Sequence, residues 1–138
     1  MAAQLTLADA QRVLEAALAE AEAIGQPMNV AVVDAGGHLL AFARQDGAIL
    51  GSIDIAIRKA RTAVLMKMST AALGEAAAPG APLYGIEVTN DGMVIFGGGI
   101  PLARSRGPVV GAIGVSAGSV EQDTVVAEAG VAALRKRA

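Results

Sequence analysis

Five polar side chains in the first half of the chain are suited to binding an anion or moving a proton. They are Arg44, Asp46, Lys59, Arg61 and Thr62. The first two follow a predicted hairpin, and the other three lie in the next predicted helix. A forked guanidinium fits a carboxylate well, so one interpretation is a site for a small carboxylate. The alternative is a structural ion pair between Lys59 or Arg61 and an aspartate of the hairpin.

That aspartate would be Asp34 or Asp46. Because Lys59 and Arg61 are two positions apart on a helix, their side chains point in different directions. Helix geometry alone therefore does not allow both cations to line one pocket.

A Ser-Ala-Gly-Ser turn leads into the last predicted helix, and its backbone N–H groups favour an anion near Ser116 and Gly118. Glu121 and Asp123 already place negative charge in the first turn of that helix, which argues against a phosphate. The glycine spacing does not match a dinucleotide fingerprint, so we do not expect nucleotide binding. Ser116 as a nucleophile would need a base, and the single histidine lies on another element. The same holds for Thr62, and the question of an enzyme stays open.

The rest of the composition excludes several classes of function. His38 is the only histidine and there is no cysteine, so one chain cannot build a two-histidine or cysteine-ligated metal site. A net charge of −2 without a basic run argues against nucleic-acid binding. The N-terminus lacks the features of a signal peptide, and no apolar window reaches about 20 residues. We expect a cytoplasmic protein that does not enter a membrane.

Apolar periodicity and turn residues predict one α+β domain over residues 1–138. In order, the elements are a helix from Leu7 capped by Thr6 and stopped by Gly25, hairpin strands over 28–34 and 38–43, a helix over 52–67, strands over 93–96, 100–103 and 109–116, and a helix capped by Ser119 and closed by Arg135, Lys136 and Arg137. A hairpin implies antiparallel pairing, and too few helices separate the strands for a doubly wound sheet. We predict a five-stranded, mainly antiparallel sheet flanked by helices.

Hydrophobic residues make up 54% of the chain, but aromatic residues make up only 2%. The core is therefore expected to be aliphatic, with alanine and glycine allowing helices to approach closely. Apolar surface in excess of what one chain buries indicates contacts between subunits. We expect a homo-oligomer.

Four segments in this order resemble the GlcG/HbpS family, whose domain also forms the C-terminal part of PduO proteins. They are VVDAGGHLLAFARQDGA (32–48), IRKARTA (57–63), GGGIPL (97–102) and GPVVGAIGVSAGSVEQD (107–123). The resemblance covers nearly the whole chain. It implies a profilin-like antiparallel sheet, a homo-oligomer and, as in several members, binding of heme or a related tetrapyrrole as the small-molecule ligand.

The resemblance implies roles in heme binding for some of the candidate residues. His38 would be an axial ligand of heme iron, since one imidazole is enough, and Lys59 or Arg61 of the predicted helix over 52–67 would hold a heme propionate. The alternative for His38 is a hydrogen bond at the start of a strand, where the family often has asparagine. Two other functions stay open, namely an enzyme acting on a small hydroxy- or oxo-acid held by Lys59 or Arg61, and a scaffold for an enzyme complex.

Overall fold

Helices cover both faces of an antiparallel sheet in this computed structural model, which describes residues 4–135. The helices are α1 (Leu7–Ile24), α2 (Gly51–Met66), α3 (Thr70–Ala76) and α4 (Val120–Arg135), and the strands are β1 (Asn29–Asp34), β2 (Leu39–Arg44), β3 (Gly99–Ala103) and β4 (Val109–Ser116). A short 3₁₀ helix spans Ile86–Val88. No helix within residues 4–135 is long and apolar enough to cross a membrane.

The strands lie in the order β2-β1-β4-β3, and every neighbouring pair is antiparallel. This confirms the predicted α+β class and the hairpin. Helices α1 and α4 pack on one face of the sheet, and α2 packs on the other. Small residues bring α2 close to β4, because a Cβ atom on Gly114 would collide with the backbone oxygen of Ala56.

The predicted five-stranded sheet is wrong, since the described residues form four strands. The segment over 93–96 is not a strand. Two of its amides donate elsewhere: Met93 donates its N–H to the carbonyl of Glu87 at 2.8 Å, and Val94 donates to the hydroxyl of Thr62 at 3.1 Å. With these two donors occupied, the segment lies against α2 and does not pair with a neighbouring strand.

The two helix starts predicted from capping residues, at Thr6 and Ser119, are confirmed. The Thr6 hydroxyl accepts the N–H of Asp9 at 3.0 Å, and the Asp9 carboxylate accepts the N–H of Thr6 at 3.1 Å, which is a reciprocal capping box. Ser119 and Gln122 form the same arrangement at the start of α4, at 3.1 and 2.9 Å. Arg135 lies in the last turn of α4. Residues 136 and 137, predicted to extend this basic end, lie outside the described part of the chain.

Asp9 also ties the first helix to the far edge of the sheet. Its carboxylate accepts hydrogen bonds from Arg12 on the same helix and from Arg104, which follows β3. The hydrogen bond from Arg104 is the main cause of a pKa for Asp9 well below its usual range, although burial acts in the opposite direction. The ionised carboxylate is therefore favoured in the folded protein.

We expect Asp9→Asn to lower the free energy of unfolding at neutral pH by about 2 kcal/mol, the usual worth of a hydrogen bond to a charged group. Because folding depresses the pKa of Asp9, this contribution is complete above the ordinary aspartate pKa of about 3.9 and is lost as the pH falls below it. Urea unfolding at several pH values measures the difference between the two proteins. Glu15→Gln, an exposed change of the same charge on the same helix, is the control, and a pH-independent difference for Asp9→Asn would contradict the explanation.

Candidate functional site

A buried ion pair lies where β3 begins at the edge of the sheet. The side chain of Lys59 on α2 is 0% exposed, and its Nζ lies 2.9 Å from Oδ2 of Asp123 on α4, which is itself 4% exposed. Nζ also donates to the backbone carbonyl of Val115 at 2.8 Å. Since α2 and α4 cover opposite faces of the sheet, the pair joins the two layers past the end of β3.

The lysine replaces a backbone donor of the sheet. Val115 donates its N–H to the carbonyl of Gly98 at 2.9 Å, and in a regular antiparallel pair Gly98 would donate its own N–H in return. The backbone instead turns at Gly98, which has a φ of 126°, and Lys59 supplies the donor. A Cβ atom on Gly98 would lie 2.6 Å from Nζ, so this position requires glycine.

Asp123 is held in place from its other side by the turn that precedes α4. Its Oδ1 accepts the N–H of Gly118 at 2.9 Å. Burial raises the pKa of Asp123 and lowers the pKa of Lys59, while the hydrogen bond and the opposite charge of each residue act against that shift in the other. The two ions therefore depend on each other to stay charged in a desolvated place.

Phe96 covers the lysine. The centroid of its ring lies 5.0 Å from Nζ, within cation–π range, and its side chain is among the exposed large hydrophobic groups, at 45%. The next residue packs on the first turn of α4, because a Cβ atom on Gly97 would lie 3.0 Å from Val120. Binding of a ligand by Lys59 would therefore require this aromatic cover to move.

A second buried polar group lies at the end of β4. The hydroxyl of Ser116 donates to that of Ser52 at 3.1 Å. Opposite Ser116 in the sheet, Asn29 is fully buried and donates to the carbonyl of Ile49 at 3.1 Å, while its side-chain oxygen has no partner among the described residues. The hydroxyl of Ser116 is thus bound to a second hydroxyl and not to a basic group.

His38 stands on the rim of a separate groove of about 430 Å³, formed with apolar side chains of β2, β4 and the segment before α1. Its Nδ1 lies 3.3 Å from Oδ1 of Asp34, and that oxygen also accepts the N–H groups of His38 and Gly36, both at 2.9 Å. Although burial opposes the effect, these hydrogen bonds lower the pKa of Asp34. The turn thus contains the hydrogen bonding predicted as the alternative for His38.

Arg61 and Thr62 form hydrogen bonds with the segment that precedes β3. Arg61 donates to the carbonyl of Asn90 at 2.6 Å, and the hydroxyl of Thr62 accepts the N–H of Val94. The neighbouring Arg58 donates to the carbonyl of Asp91. The predicted ion pair between Lys59 or Arg61 and a hairpin aspartate is wrong, because Lys59 binds Asp123 and Arg61 binds a backbone carbonyl.

Arg44 and Asp46 line a third concavity, a polar cleft of about 540 Å³ between the end of α1 and the end of β2. The eight predicted site residues therefore do not share one cavity. Lys59, Ser116 and Gly118 lie around the end of β4, whereas His38 lies in its own groove. Within residues 4–135 no group of three or more histidine, aspartate or glutamate side chains is arranged to hold a metal ion.

Sequence reasoning missed the two partners of Lys59. The sequence pattern indicates Asp123 only as an acid favoured by the helix dipole, and Phe96 as part of a strand. A signal was available, because Lys59 follows Ala56 by three positions and precedes Ala63 by four, which places it on the apolar face of α2. A charge on a buried face needs an opposite charge.

We expect Lys59→Met to lower the free energy of unfolding by about 3–5 kcal/mol, because it leaves the Asp123 carboxylate buried without its counter-ion. Adding Asp123→Asn removes that charge but keeps an oxygen for Gly118, so the double variant is expected to be more stable than Lys59→Met alone. Urea unfolding of the wild type, the two single variants and the double variant measures the coupling free energy between Lys59 and Asp123. Lys67→Met, a change of the same type at an exposed position, is the control. A loss below about 1 kcal/mol for Lys59→Met, the range of surface pairs, would contradict this account.

Comparison with known proteins identifies the family. Residues 5–132 match the family described as "Haem degrading protein HbpS-like". A Citrobacter freundii protein named "Uncharacterized 15.0 kDa protein in dhaT-dhaS intergenic region" is 45% identical over 127 residues, which are 91% of this chain and 89% of that protein. The corrinoid adenosyltransferase PduO of Citrobacter freundii is 41% identical over 137 residues, which are 99% of this chain but only 41% of PduO.

Solved structures agree with the sequence comparison. The crystal structure of a PduOC:heme complex has a TM-score of 0.90 and 40% sequence identity, and the match covers 95% of both chains. The likeness thus extends over nearly all of the fold, including the sheet and both helical layers. The chain belongs to the HbpS-like family.

Proposed function

We propose that the protein binds heme or a related tetrapyrrole, and that His38 would hold its iron. The observation that carries the proposal is the contact of 3.3 Å between Nδ1 of His38 and the Asp34 carboxylate. Metal-binding histidines commonly bind the metal through one ring nitrogen and a carboxylate through the other. With Nδ1 directed to Asp34, Nε2 is the nitrogen left for iron, and the side chain is 82% exposed.

The groove beside His38 suits a planar apolar ligand. Its walls include Leu5, Leu40, Val109 and Val110, and aliphatic side chains of this kind exclude water from a porphyrin face. The chain offers no cluster of protein ligands for a bare metal ion among the described residues. A single histidine is sufficient for heme, because the porphyrin supplies the other four nitrogens.

A cation for a heme propionate is available on the other side of the hairpin turn. The aliphatic part of Arg61 packs against Gly37, the residue before His38, because a Cβ atom there would lie 3.6 Å from Cγ. Among residues 4–135 its guanidinium makes one hydrogen bond, to the carbonyl of Asn90, and it has further donors. Arg61, rather than the buried Lys59, is the member of the predicted basic set suited to this role.

Two comparisons support the proposal. The family description names haem, and the PduOC structure, with a nearly identical fold, is a complex with heme. Heme, when bound, supplies redox and ligand-binding chemistry at its iron. This chain's contribution is to orient the imidazole, cover the porphyrin with aliphatic side chains and balance the propionate charge.

The alternative of an enzyme acting on a small hydroxy- or oxo-acid receives less support from the geometry. It relied on Lys59 or Arg61 to hold the carboxylate. Lys59 is occupied by Asp123 and has no exposed surface, and no acid is hydrogen-bonded to Arg61 among the described residues. The scaffold alternative has no specific observation in its favour.

A heme titration followed at the Soret band tests the proposal. We expect saturable binding by the wild type and a shift of the band typical of histidine ligation. His38→Ala is expected to lose that shift and to bind heme at least about tenfold more weakly. Tyr84 is exposed, and its phenol oxygen is an alternative ligand for iron. Tyr84→Phe removes that oxygen, and this variant is expected to behave like the wild type.

Each outcome has a defined meaning. If His38→Ala gives the wild-type spectrum and affinity, ligation by His38 is rejected. If Tyr84→Phe loses the shift instead, the iron ligand is Tyr84. If the wild type does not bind heme saturably, the proposed function is rejected.

A further inference from the structure

Two Asp-Gly dipeptides lie in turns of this chain, and the two turns hold them differently. They are Asp46-Gly47, which follows β2, and Asp91-Gly92, which precedes the segment over 93–96. An aspartate carboxyl group reacts most readily with the main chain when glycine follows, because glycine has no side chain to shield its nitrogen. The product of that reaction is a succinimide ring, which water opens to aspartate or to isoaspartate.

The peptide group between Asp46 and Gly47 has no hydrogen-bond partner in the described part of the chain. It lies at the centre of a β-turn, which closes where the N–H of Ala48 donates to the carbonyl of Gln45 at 3.1 Å. Gly47 has a φ of 88° while the φ of Asp46 is not positive, and this combination is typical of a type II turn. Both residues of the dipeptide are exposed, and the Asp46 carboxylate forms no ion pair within residues 4–135.

Rotation of this central peptide group brings the reacting atoms together. The ring closes when the nitrogen of Gly47 meets Cγ of Asp46, which requires rotation about the Cα–C bond of the aspartate. Type I and type II turns differ mainly in the orientation of their central peptide group, so the group can rotate while Ala48 stays bonded to Gln45. Glycine tolerates the φ values of both turns. The reaction at this turn therefore does not require the fold to open.

The second dipeptide, Asp91-Gly92, has a different position in its turn. Gly92 donates its N–H to the carbonyl of Thr89 at 2.9 Å, and the carbonyl of Asp91 accepts a hydrogen bond from Arg58. Asn90 and Asp91 both have positive φ, at 53° and 59°, which is typical of a type I′ turn. The Asp-Gly peptide group thus closes this turn, and its nitrogen and oxygen are both bonded. Rotation toward the carboxyl group breaks two hydrogen bonds.

We propose that Asp46-Gly47 is a site of spontaneous modification in the folded protein, and that the fold protects Asp91-Gly92 from the same reaction. The nitrogen of Gly47 forms a bond to Cγ of Asp46. One water molecule leaves, made from the carboxyl OH and the amide hydrogen. Water then adds to one of the two ring carbonyls. Opening at Cγ restores aspartate, and opening at the former main-chain carbonyl gives isoaspartate, whose main chain runs through Cβ and Cγ.

Isoaspartate at this turn lengthens a segment that is anchored on both sides. Before the turn, Gln45 donates its N–H to the carbonyl of Met28, and its side-chain oxygen accepts the N–H of Met28. After the turn, the carbonyl of Ile49 accepts a hydrogen bond from the buried side chain of Asn29. The modification adds one main-chain atom between these anchors. It also moves a carboxylate that lines the polar cleft at the end of α1.

Peptide mapping of the heme-free protein tests the proposal, which does not rest on tetrapyrrole binding. The protein is incubated at neutral pH, and electron-transfer fragmentation distinguishes isoaspartate from aspartate at each dipeptide. We expect isoaspartate to form at Asp46 at least about fivefold faster than at Asp91, the factor that one ordinary hydrogen bond corresponds to. In guanidinium chloride both turns are open, so we expect the two rates to be similar there.

Two matched variants measure the contribution of each dipeptide to the total isoaspartate. Asp46→Glu keeps the charge but requires a six-membered ring, which forms much more slowly, so this variant is expected to lose most of the isoaspartate that the wild type forms. Asp91→Glu is the control, and it is expected to form nearly as much isoaspartate as the wild type. Circular dichroism shows whether each variant is folded.

The proposal is overturned if the folded protein forms no isoaspartate at Asp46 while the unfolded protein does. It is also overturned if Asp91 reacts as fast as Asp46 in the folded protein. Hydrogen exchange tests the structural basis separately, because the amide of Gly47 is expected to exchange rapidly and that of Gly92 slowly. Equal exchange of the two amides would contradict the explanation. A failed heme titration leaves all of these rates unchanged, so the two proposals are tested independently.

Discussion

The buried pair of Lys59 and Asp123 is the interaction on which the arrangement of the layers depends. An ion pair moved out of water is stable only if each charge is fully hydrogen-bonded. Here Nζ has Asp123, the carbonyl of Val115 and the ring of Phe96 as partners, and the carboxylate also accepts the N–H of Gly118. These partners come from both helical layers and from β4, so the pair forms only when all of them are in place.

Small residues make that pair geometrically possible. The face of α2 that packs on the sheet is formed largely by alanines, including Ala56, Ala60 and Ala63, and Gly114 allows the helix backbone to approach β4 closely. A larger residue at 114 would move α2 outward and take Nζ away from Asp123. Much of the alanine in this chain is thus used within the subunit. The abundance of alanine is therefore weak support for an oligomer.

Local signals in the sequence predict most of the fold but only part of the site. Some features depend only on residues that are close together in the chain, and these can be predicted from the sequence. They are the caps at Thr6 and Ser119, the hairpin and the apolar face of α2. The segment at 93–96 has the composition of a strand, yet a hydroxyl from α2 takes one of its amides. The pairing of Lys59 with Asp123 joins residues 64 positions apart, and only the assembled fold brings them together.

The geometry also separates the candidate heme groove from the ion pair. Strand β4 begins at Val109, which lines the groove beside His38, and ends at Ser116, next to the carbonyl that binds Lys59. A strand of this length spans roughly 24 Å, so the two places lie at opposite ends of one rigid element. The ion pair can then fix the layers without occupying the groove beside His38. His38 and Lys59, both candidate site residues in the sequence, therefore lie near opposite ends of β4, and only Lys59 is buried in an ion pair.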